Sequence, residues 1–173
     1  GIDIMAAAAF KWLLGLPGSG FLYINEQARQ IISPILPGMF AAENDFRELR
    51  YLDDARKYET GTFAYPLFHA WRAGLDLLQE IGIDTIHTRI LTHTDRIIHG
   101  LTAKNISIIS PIEYHDERSA IISFSVGDDN ANERLVERLA EKRIIVALRD
   151  GRIRVSPNFF NTEDEIDMFL EHV

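Results

Sequence analysis

Cysteine is absent from the 173 residues of this chain. Disulfide bonds, thiolate metal sites and a cysteine nucleophile on this chain are therefore excluded, and a reducing cytoplasm is the expected location. Basic residues are outnumbered, because 26 Asp and Glu stand against 18 Lys and Arg and give a net charge of -8. This charge disfavours general binding to nucleic acid. The longest apolar stretch, residues 4–24, is interrupted by a lysine, glycines and a proline, so we expect a soluble protein with no membrane span.

The first sixty residues contain little predicted regular structure. Residues 1–9 and the run FLYI are strand-like and flank the turn-rich GLPGSG, which predicts that Lys11 lies where a strand meets a loop. A short helix is predicted next, ended by Pro34 and Pro37, and residues 41–62 are polar and aperiodic, as in an extended surface or active-site loop. These elements cannot bury a core alone, so we expect the chain to be the C-terminal part of a longer protein.

The remaining residues predict a compact α+β unit preceded by a long helix. Apolar residues at helical spacing predict one helix that stops at Gly82 and a second that ends at Gly100 or shortly after. The spaced residues are Leu67, Trp71, Leu75 and Leu78 in the first helix, and Ile83, Ile86, Ile90, Ile97 and Leu101 in the second. Three histidines, His87, His93 and His99, are expected on the polar side of the second helix.

Strands and helices alternate in the last third of the chain. The runs ISIIS, AIISFSV, RIIVALR and GRIRVS are strand-like. One helix is predicted between AIISFSV and RIIVALR, and another after GRIRVS. Capping-box spacing predicts where they begin, at Asn130 with Glu133 for the first and at Thr162 with Glu165 for the second. Residues from about Gly82 onward therefore predict the order helix, strands, helix, strands, helix.

Several stretches match nucleotide-binding or metal-binding motifs only in part, and each lacks residues that its motif requires. A phosphate-binding loop needs Lys and Ser or Thr directly after its last glycine, where this chain has Phe21 and Leu22, and the glycine spacing also fails the dinucleotide-binding pattern. DDNANE begins like a calcium loop but has Glu133 in place of the required glycine. Six histidines occur without an HExxH pattern or a cysteine partner, so no metal site is expected.

Lys11 is the residue that this sequence singles out. A lysine flanked by Ala, Phe, Trp and Leu either extends to water or lies in a partly desolvated pocket, where a neutral amine is favoured and acts as a nucleophile. The residues alone leave both possibilities open: a lysine that merely ends a strand, or a lysine that forms a Schiff base.

The run IDIMAAAAFKWLLGLPGSGFL resembles the pyridoxal-phosphate attachment site of the class V aminotransferases, a family that also includes cysteine desulfurases, selenocysteine lyases, kynureninases and isopenicillin N epimerase-like proteins. The positions that fit are Ile2, Asp3, Ala8, Ala9, Lys11, Gly18 and Gly20. The resemblance implies that Lys11 is the Schiff-base lysine and that pyridoxal 5'-phosphate is the cofactor.

Two further stretches agree with the family in order and spacing. RKYETGT, residues 56–62, resembles a family segment whose threonine reaches the cofactor phosphate of the neighbouring subunit, which implies a homodimer and a cofactor-binding role for Thr62. Residues 152–167 resemble the segment in which an arginine holds the substrate α-carboxylate, which implies that Arg154 binds the amino-acid substrate. A guanidinium suits this task because it can grip a carboxylate through two parallel hydrogen bonds.

The resemblance implies an α/β protein, α+β in its small domain, that forms the C-terminal portion of a fold-type-I pyridoxal-phosphate-dependent transferase. Residues 1–62 would be the tail of the large cofactor-binding domain, 63–81 a bridging helix, and 82–173 the small domain. The implied function is a pyridoxal-phosphate enzyme acting on an α-amino acid, as an aminotransferase or a related lyase or epimerase. Other parts of the family's cofactor site precede the lysine and lie outside this sequence.

Two departures from the family pattern keep alternatives open. Phe10 stands where a histidine usually contacts the phosphate, and ALRDGRIR is short and lacks the cysteine that family desulfurases need before the carboxylate arginine, so that chemistry is not expected. One alternative is a non-catalytic fragment or degenerate relative that acts as a binding module. Another is that a companion polypeptide supplies the N-terminal half of the site.

Overall fold

The computed structural model describes residues 1–36, 38–43 and 48–173, without the side chain of His115. Two sequence predictions therefore fall partly outside the described residues: Pro37 as a helix terminator, and residues 44–47 of the predicted loop. The chain forms two compact units, Gly1–Glu80 and Ile81–Val173. The assignment of residues 1–62, 63–81 and 82–173 to parts of a larger enzyme stays a prediction.

The first unit begins with an antiparallel hairpin and a short helix. Its elements are β1 (Ile4–Ala8), β2 (Gly20–Ile24), α1 (Glu26–Ile31) and α2 (Tyr65–Ile81). Asn25 caps α1 by accepting a hydrogen bond from the backbone N–H of Ala28 at 2.8 Å, as short polar side chains do at helix starts. Both strands and the short helix are as predicted, and α1 ends three residues before Pro34.

The segment between α1 and α2 is more regular than the sequence indicates. Ala42 and Tyr51 form an isolated antiparallel bridge, and a 3-10 helix spans Ala55–Tyr58. Asp54 caps this 3-10 helix by accepting from the N–H of Arg56 at 2.9 Å. The predicted extended loop is thus partly folded, because a single capping aspartate can order a turn without any apolar periodicity.

The long helix α2 is as predicted. Trp71 and Leu78 are buried on its apolar side. The helix ends directly before Gly82, whose φ of +87° lies in the left-handed region that glycine adopts without the clash of a Cβ.

The second unit has the predicted order of helix, strands, helix, strands and helix. Its elements are α3 (Ile83–Ala103), β3 (Ser107–Ile108), β4 (Ile122–Ser125), α4 (Asp129–Glu141), β5 (Ala147–Arg149), β6 (Arg152–Val155) and α5 (Glu163–His172). The four strands form one antiparallel sheet in the order β3-β4-β6-β5.

One face of this sheet packs into the core of the second unit. The core residues are Ile97, Leu101, Ile122, Phe124, Leu135, Leu139, Ile144, Ile153, Val155, Ile166 and Phe169. Phe124 is completely buried and meets Phe169 of α5 edge to face, with ring centroids 6.1 Å apart. Because neighbouring residues of a strand point to opposite faces, the other face carries the remaining residues of β4 and β6.

One of the two predicted helix caps is wrong and one is confirmed. Helix α4 is capped by Asp128, which accepts from the N–H of Ala131 at 2.8 Å, so Asn130 already lies inside the first turn and does not pair with Glu133 as predicted. Asp128 rather than Asn130 caps the helix because its backbone is extended and its carboxylate reaches the third N–H of the helix. The capping box that opens α5, between Thr162 and Glu165, is confirmed.

His93 and Ile83 contradict the predicted faces of α3. Ile83 is exposed at the first helical position, whereas His93 is only 2% exposed and faces inward. Neither ring nitrogen of His93 has a hydrogen-bond partner among residues 1–36, 38–43 and 48–173. Helix α3 packs against α5, and His93 is buried on α3, where Glu163 and the backbone of Asn161 are close enough to affect its ring. The periodicity of the aliphatic residues alone does not show this.

Burial lowers the pKa of the His93 imidazole below its ordinary range, because a desolvated ring favours the neutral form. Two arginines of its own helix, Arg89 and Arg96, lower this pKa further. The carboxylate of Glu163 and the backbone of Asn161 act in the opposite direction but do not reverse the shift. His93 is therefore neutral in the folded protein near neutral pH.

Candidate active site

Lys11 lies in the turn that joins β1 to β2, residues 9–19, which we call the lysine turn. Its base is closed by two backbone hydrogen bonds, from Ala9 N–H to the carbonyl of Ser19 at 2.9 Å and from Gly15 N–H to the carbonyl of Ala9 at 2.8 Å. Ala9 and Ser19 are buried. The predicted position of Lys11, where a strand meets a loop, is thus confirmed.

The side chain of Lys11 is exposed. Its amine lies 5.5 Å from the ring centroid of Phe10 and forms no hydrogen bond or ion pair with any residue in the described ranges. The sequence left open whether Lys11 extends to water or lies in a partly desolvated pocket. In the first unit its side chain extends to water. An unpaired and accessible amine is free to react with a carbonyl group.

Thr62 follows a well-anchored segment. The hydroxyl of Tyr58 donates to the carbonyl of Ile32 at 2.9 Å, and the amine of Lys57 donates to the carbonyl of Arg29. Arg56, which opens the matching motif, is paired with Asp54 at 2.6 Å, and its hydrogen bond lowers the pKa of that carboxyl group. The contacts of Lys57 and Tyr58 hold the segment against the end of α1.

Thr62 itself is exposed at the end of this segment, and the position where a Cβ would stand on Gly61 has no atom within 4 Å. Thr62 also lines an open cavity of about 890 Å³ in the first unit. The alanines of β1, Ala6, Ala7 and Ala8, form one side of it, and their small side chains leave the space. Trp71 of α2 lies on another side. Lys11 is not among the lining residues, and the sequence analysis did not anticipate this cavity.

Arg154 lies on β6, between two buried core residues, Ile153 and Val155. Strand alternation therefore directs it to the face opposite the core, where its cross-strand neighbours are Ser123 and Ala147. Its side chain is partly buried, and its Nε atom is buried without a hydrogen-bond partner in the part of the chain that the structure describes. An unpaired donor of this kind fits a ligand that supplies an acceptor.

The three predicted site residues are thus distributed over both units. Lys11 and Thr62 belong to the first unit and Arg154 to the second. Their functional roles stay predictions. Within the described ranges, no group of His, Asp and Glu side chains is arranged to hold a metal ion. None of the described helices is both long enough and apolar enough to cross a membrane.

The fold resembles that of pyridoxal-phosphate enzymes of the cysteine desulfurase type. An apo cysteine desulfurase from Thermococcus onnurineus superposes with a TM-score of 0.86 at 20% identity, over 98% of this chain and 45% of that chain. The cystine C-S lyase C-DES, solved with cysteine persulfide, gives a TM-score of 0.87 at 23% identity with the same coverage. The predicted fold class, part of an α/β pyridoxal-phosphate-dependent transferase, is confirmed.

Residues 1–169 match the family described as aminotransferase class-V, so the chain belongs to the class V aminotransferase family. An uncharacterized aminotransferase of Bacillus subtilis, YcbU, is 28% identical over 173 residues, which are 100% of this chain and 45% of the relative. A "probable cysteine desulfurase" of Synechocystis is 29% identical over 186 aligned residues, with 98% and 43% covered. The chain therefore spans less than half the length of these curated relatives.

Class V aminotransferases use pyridoxal 5'-phosphate, and C-DES has been solved with glycine linked covalently to this cofactor. The residues present fit such a group. Lys11, whose accessible amine has no partner among the described residues, would offer it to the aldehyde, and Thr62 would offer a hydroxyl beside an open cavity to the phosphate. Within the described ranges the buried Nε of Arg154 has no acceptor, and a substrate carboxylate would supply one.

The first unit also contains residues of interest that the sequence analysis did not name. Leu14, in the lysine turn, has a φ of +54°, and Gly74, inside α2, packs directly against it. A signal for Gly74 was present, because an isolated glycine within a strong helical pattern often marks a close contact. Nothing in the sequence indicated the conformation of Leu14.

Proposed function

We propose that the complete protein carrying this chain is a pyridoxal-phosphate enzyme that acts on an α-amino acid, as an aminotransferase or a related lyase or epimerase. Lys11 attaches the cofactor, Thr62 contributes to phosphate binding, and Arg154 binds the α-carboxylate of the substrate. The observation that carries this proposal is the position and accessibility of the Lys11 amine. In a chain of this family, the matching lysine lies in a closed turn with its amine accessible and unpaired among the described residues.

Arg154 is assigned to the substrate rather than to the fold. A buried donor without a partner costs stability, and proteins keep such groups where a ligand pairs with them. A guanidinium stays charged at any working pH and can donate two parallel hydrogen bonds to one carboxylate. Arg154 therefore orients the amino acid by its carboxylate.

Lys11 has two tasks in this proposal. The cofactor, when bound, supplies an electron sink that stabilises negative charge at the substrate Cα. The Lys11 amine would hold the cofactor through its aldehyde, and as a free amine it would take a proton from the substrate Cα or return one. Its exposed position in the first unit suits a residue that must change partners.

Thr62 is assigned to the phosphate because a hydroxyl at an anchored turn can donate to an anionic oxygen. The resemblance that suggests this role places the phosphate in the neighbouring subunit, so a homodimer belongs to the proposal. Phe10 contributes no hydrogen bond to the phosphate, and phosphate binding then depends more on Thr62. A cytoplasmic location also stays a prediction.

Desulfuration by a cysteine of this region is not part of the proposal, although some relatives carry the desulfurase name. The chain has no cysteine. Strand β5 ends at Arg149 and β6 begins at Arg152, so only Asp150 and Gly151 join them, both with positive φ as in a tight hairpin. A connection of two residues is too short to form a loop that carries a nucleophile.

The direct test is to reduce the complete protein with borohydride in the presence of pyridoxal phosphate and to locate the adduct by peptide mass spectrometry. We expect a phosphopyridoxyl group on Lys11 at close to one per chain. Lys142 is the matched control, because its side chain is also exposed and its amine has no partner among the residues with described positions. Preferential labelling of Lys11 over Lys142 supports the proposal.

Adducts spread equally over both lysines, or none on Lys11 in a folded protein, would contradict the assignment. The binding-module alternative would then take its place, and it is the alternative that Phe10 favours. Co-purification of a second chain that supplies the rest of the site would favour the companion-polypeptide alternative.

A further inference from the structure

We infer that α2 positions the catalytic lysine: Gly74 lets the helix touch Leu14 of the lysine turn, and Leu14 holds the backbone of Lys11. Gly74 is thus a positioning residue that acts through Leu14. The inference rests on the proposed function only where it concerns cofactor attachment. The contact itself lies within the first unit.

The contact between α2 and the turn depends on the absence of a side chain at Gly74. A Cβ at this position would stand 2.8 Å from the carbonyl oxygen of Leu14 and 3.0 Å from its Cβ. The first of these distances is shorter than carbon and oxygen atoms tolerate without displacement. The backbone of α2 therefore approaches the turn as closely as a helix without a side chain allows.

Leu14 connects this contact to Lys11 through the backbone. The N–H of Leu14 donates to the carbonyl oxygen of Lys11 at 3.1 Å. Leu14 has a φ of +54°, a left-handed conformation that is costly for a branched side chain and persists only where surrounding contacts enforce it. The approach of Gly74 is a contact that enforces it.

Further contacts along the same face of α2 extend this support. Leu67, Trp71 and Gly74 are spaced four and three residues apart and therefore share one helix face. A Cβ on Gly15 would stand 3.1 Å from Trp71, and one on Gly18 would stand 3.3 Å from Leu67. Leu67, Trp71 and Gly74, each about one helical turn from the next, thus approach Gly18, Gly15 and Leu14 of the lysine turn.

Helix stability alone predicts the opposite effect at Gly74. Alanine is a better helix former than glycine, so a purely structural glycine inside α2 would be improved by replacement with alanine. The contact geometry predicts instead that the new methyl group displaces Leu14 and breaks the hydrogen bond that holds the carbonyl of Lys11. The two explanations can be separated by experiment.

The test is Gly74→Ala in the complete protein, first without cofactor. We expect hydrogen exchange at the N–H groups of Leu14 and Gly15 to become about tenfold faster or more, because displacing Leu14 moves these donors away from the carbonyls of Lys11 and Ala9. The rate at which an acylating reagent labels Lys11, relative to Lys142, is expected to change as well. With pyridoxal phosphate, the absorbance of the lysine-bound cofactor and its pH titration should shift.

Ala73→Gly is the matched control. Ala73 is the exposed neighbour of Gly74 on α2, so this change weakens the helix without altering the contact to the turn. We expect it to leave exchange at Leu14 and labelling of Lys11 unchanged. Leu14→Gly is a second variant, because it accepts the positive φ and removes the side chain, and it should also speed the exchange of Gly15.

Unchanged exchange and labelling in a folded Gly74→Ala protein would overturn the inference, as would an equal effect of Ala73→Gly. If Gly74→Ala fails to fold, Leu14→Gly decides instead: exchange at Gly15 that is no faster than in the unchanged protein would overturn the inference. The exchange and labelling measurements use no cofactor, so a missing adduct on Lys11 contradicts the proposed function and leaves the positioning result standing.

Discussion

Arg154→Gln tests the substrate site most sharply. Glutamine keeps polarity and much of the side-chain length but removes the charge and the paired donors. Truncating one partner of a buried, hydrogen-bonded charge pair costs about 2–5 kcal/mol. Because Arg154 is only partly buried, we take the lower part of this range, about 2–3 kcal/mol, which corresponds to an affinity for α-amino acids about 30- to 150-fold weaker.

The assay is a titration of the cofactor-loaded protein with amino acids, followed by the absorbance change on binding, together with the apparent KM of whichever reaction is found. The matching amines that lack the carboxylate serve as control ligands, and their binding should not depend on position 154. Arg152→Gln is the control variant, because Arg152 lies two residues away on the same strand and is exposed. We expect it to change affinity by less than about threefold, as exposed charges do.

Protein stability supplies an independent readout for the same variant. The Nε of Arg154 has no partner in the described part of the chain, so its removal breaks no internal hydrogen bond there. We expect the free energy of unfolding to change by no more than about 0.5 kcal/mol. Unchanged affinity, or an equal loss with Arg152→Gln, would refute the carboxylate role. A large loss of stability would show a structural arginine instead.

Four further predictions follow from the other described contacts. Thr62→Ala should weaken cofactor retention about 10- to 100-fold, the worth of a hydrogen bond to a charged group, whereas Thr60→Ala should not; dialysis measures both. Phe124→Ala should cost about 3–5 kcal/mol in denaturant unfolding because it empties a fully buried position. Thr162→Ala should cost about 1 kcal/mol by removing the cap of α5, measured in the same way. The stability held by neutral His93 should be present above about pH 6.5 and decline at lower pH, since the unfolded chain binds the proton more readily; His93→Leu should remove this part of the decline, measured by unfolding at pH 5 and 8.

Most elements of the fold could be predicted because their signals are local. The aliphatic spacing in α2 and α3, the glycine after α2 and the Thr162–Glu165 box each involve residues within one or two helical turns. The prediction failed where two local signals competed, as at the start of α4, where Asp128 rather than Asn130 caps the helix. Short polar residues in succession offer several possible caps, and backbone conformation selects one.

The candidate site could be predicted only in part. Lys11, Thr62 and Arg154 were identified through short motifs, and the structure places Lys11 in the predicted turn and Arg154 on a strand. The cavity beside Thr62 was missed, since it is formed by residues of β1, β2, α2 and the intervening segment. Residues so far apart in sequence have no shared local signal.

The sequence by itself determined the order of helices and strands, the position of Lys11 after β1 and the similarity to class V aminotransferases, because periodicity, caps and motifs are properties of neighbouring residues. Only the tertiary structure decided that His93 is buried, that Nε of Arg154 lacks a partner among the described residues, and that Gly74 contacts Leu14. Burial and close contact depend on how elements pack, and a packing surface brings together residues sixty positions apart whose sequences need show no relation.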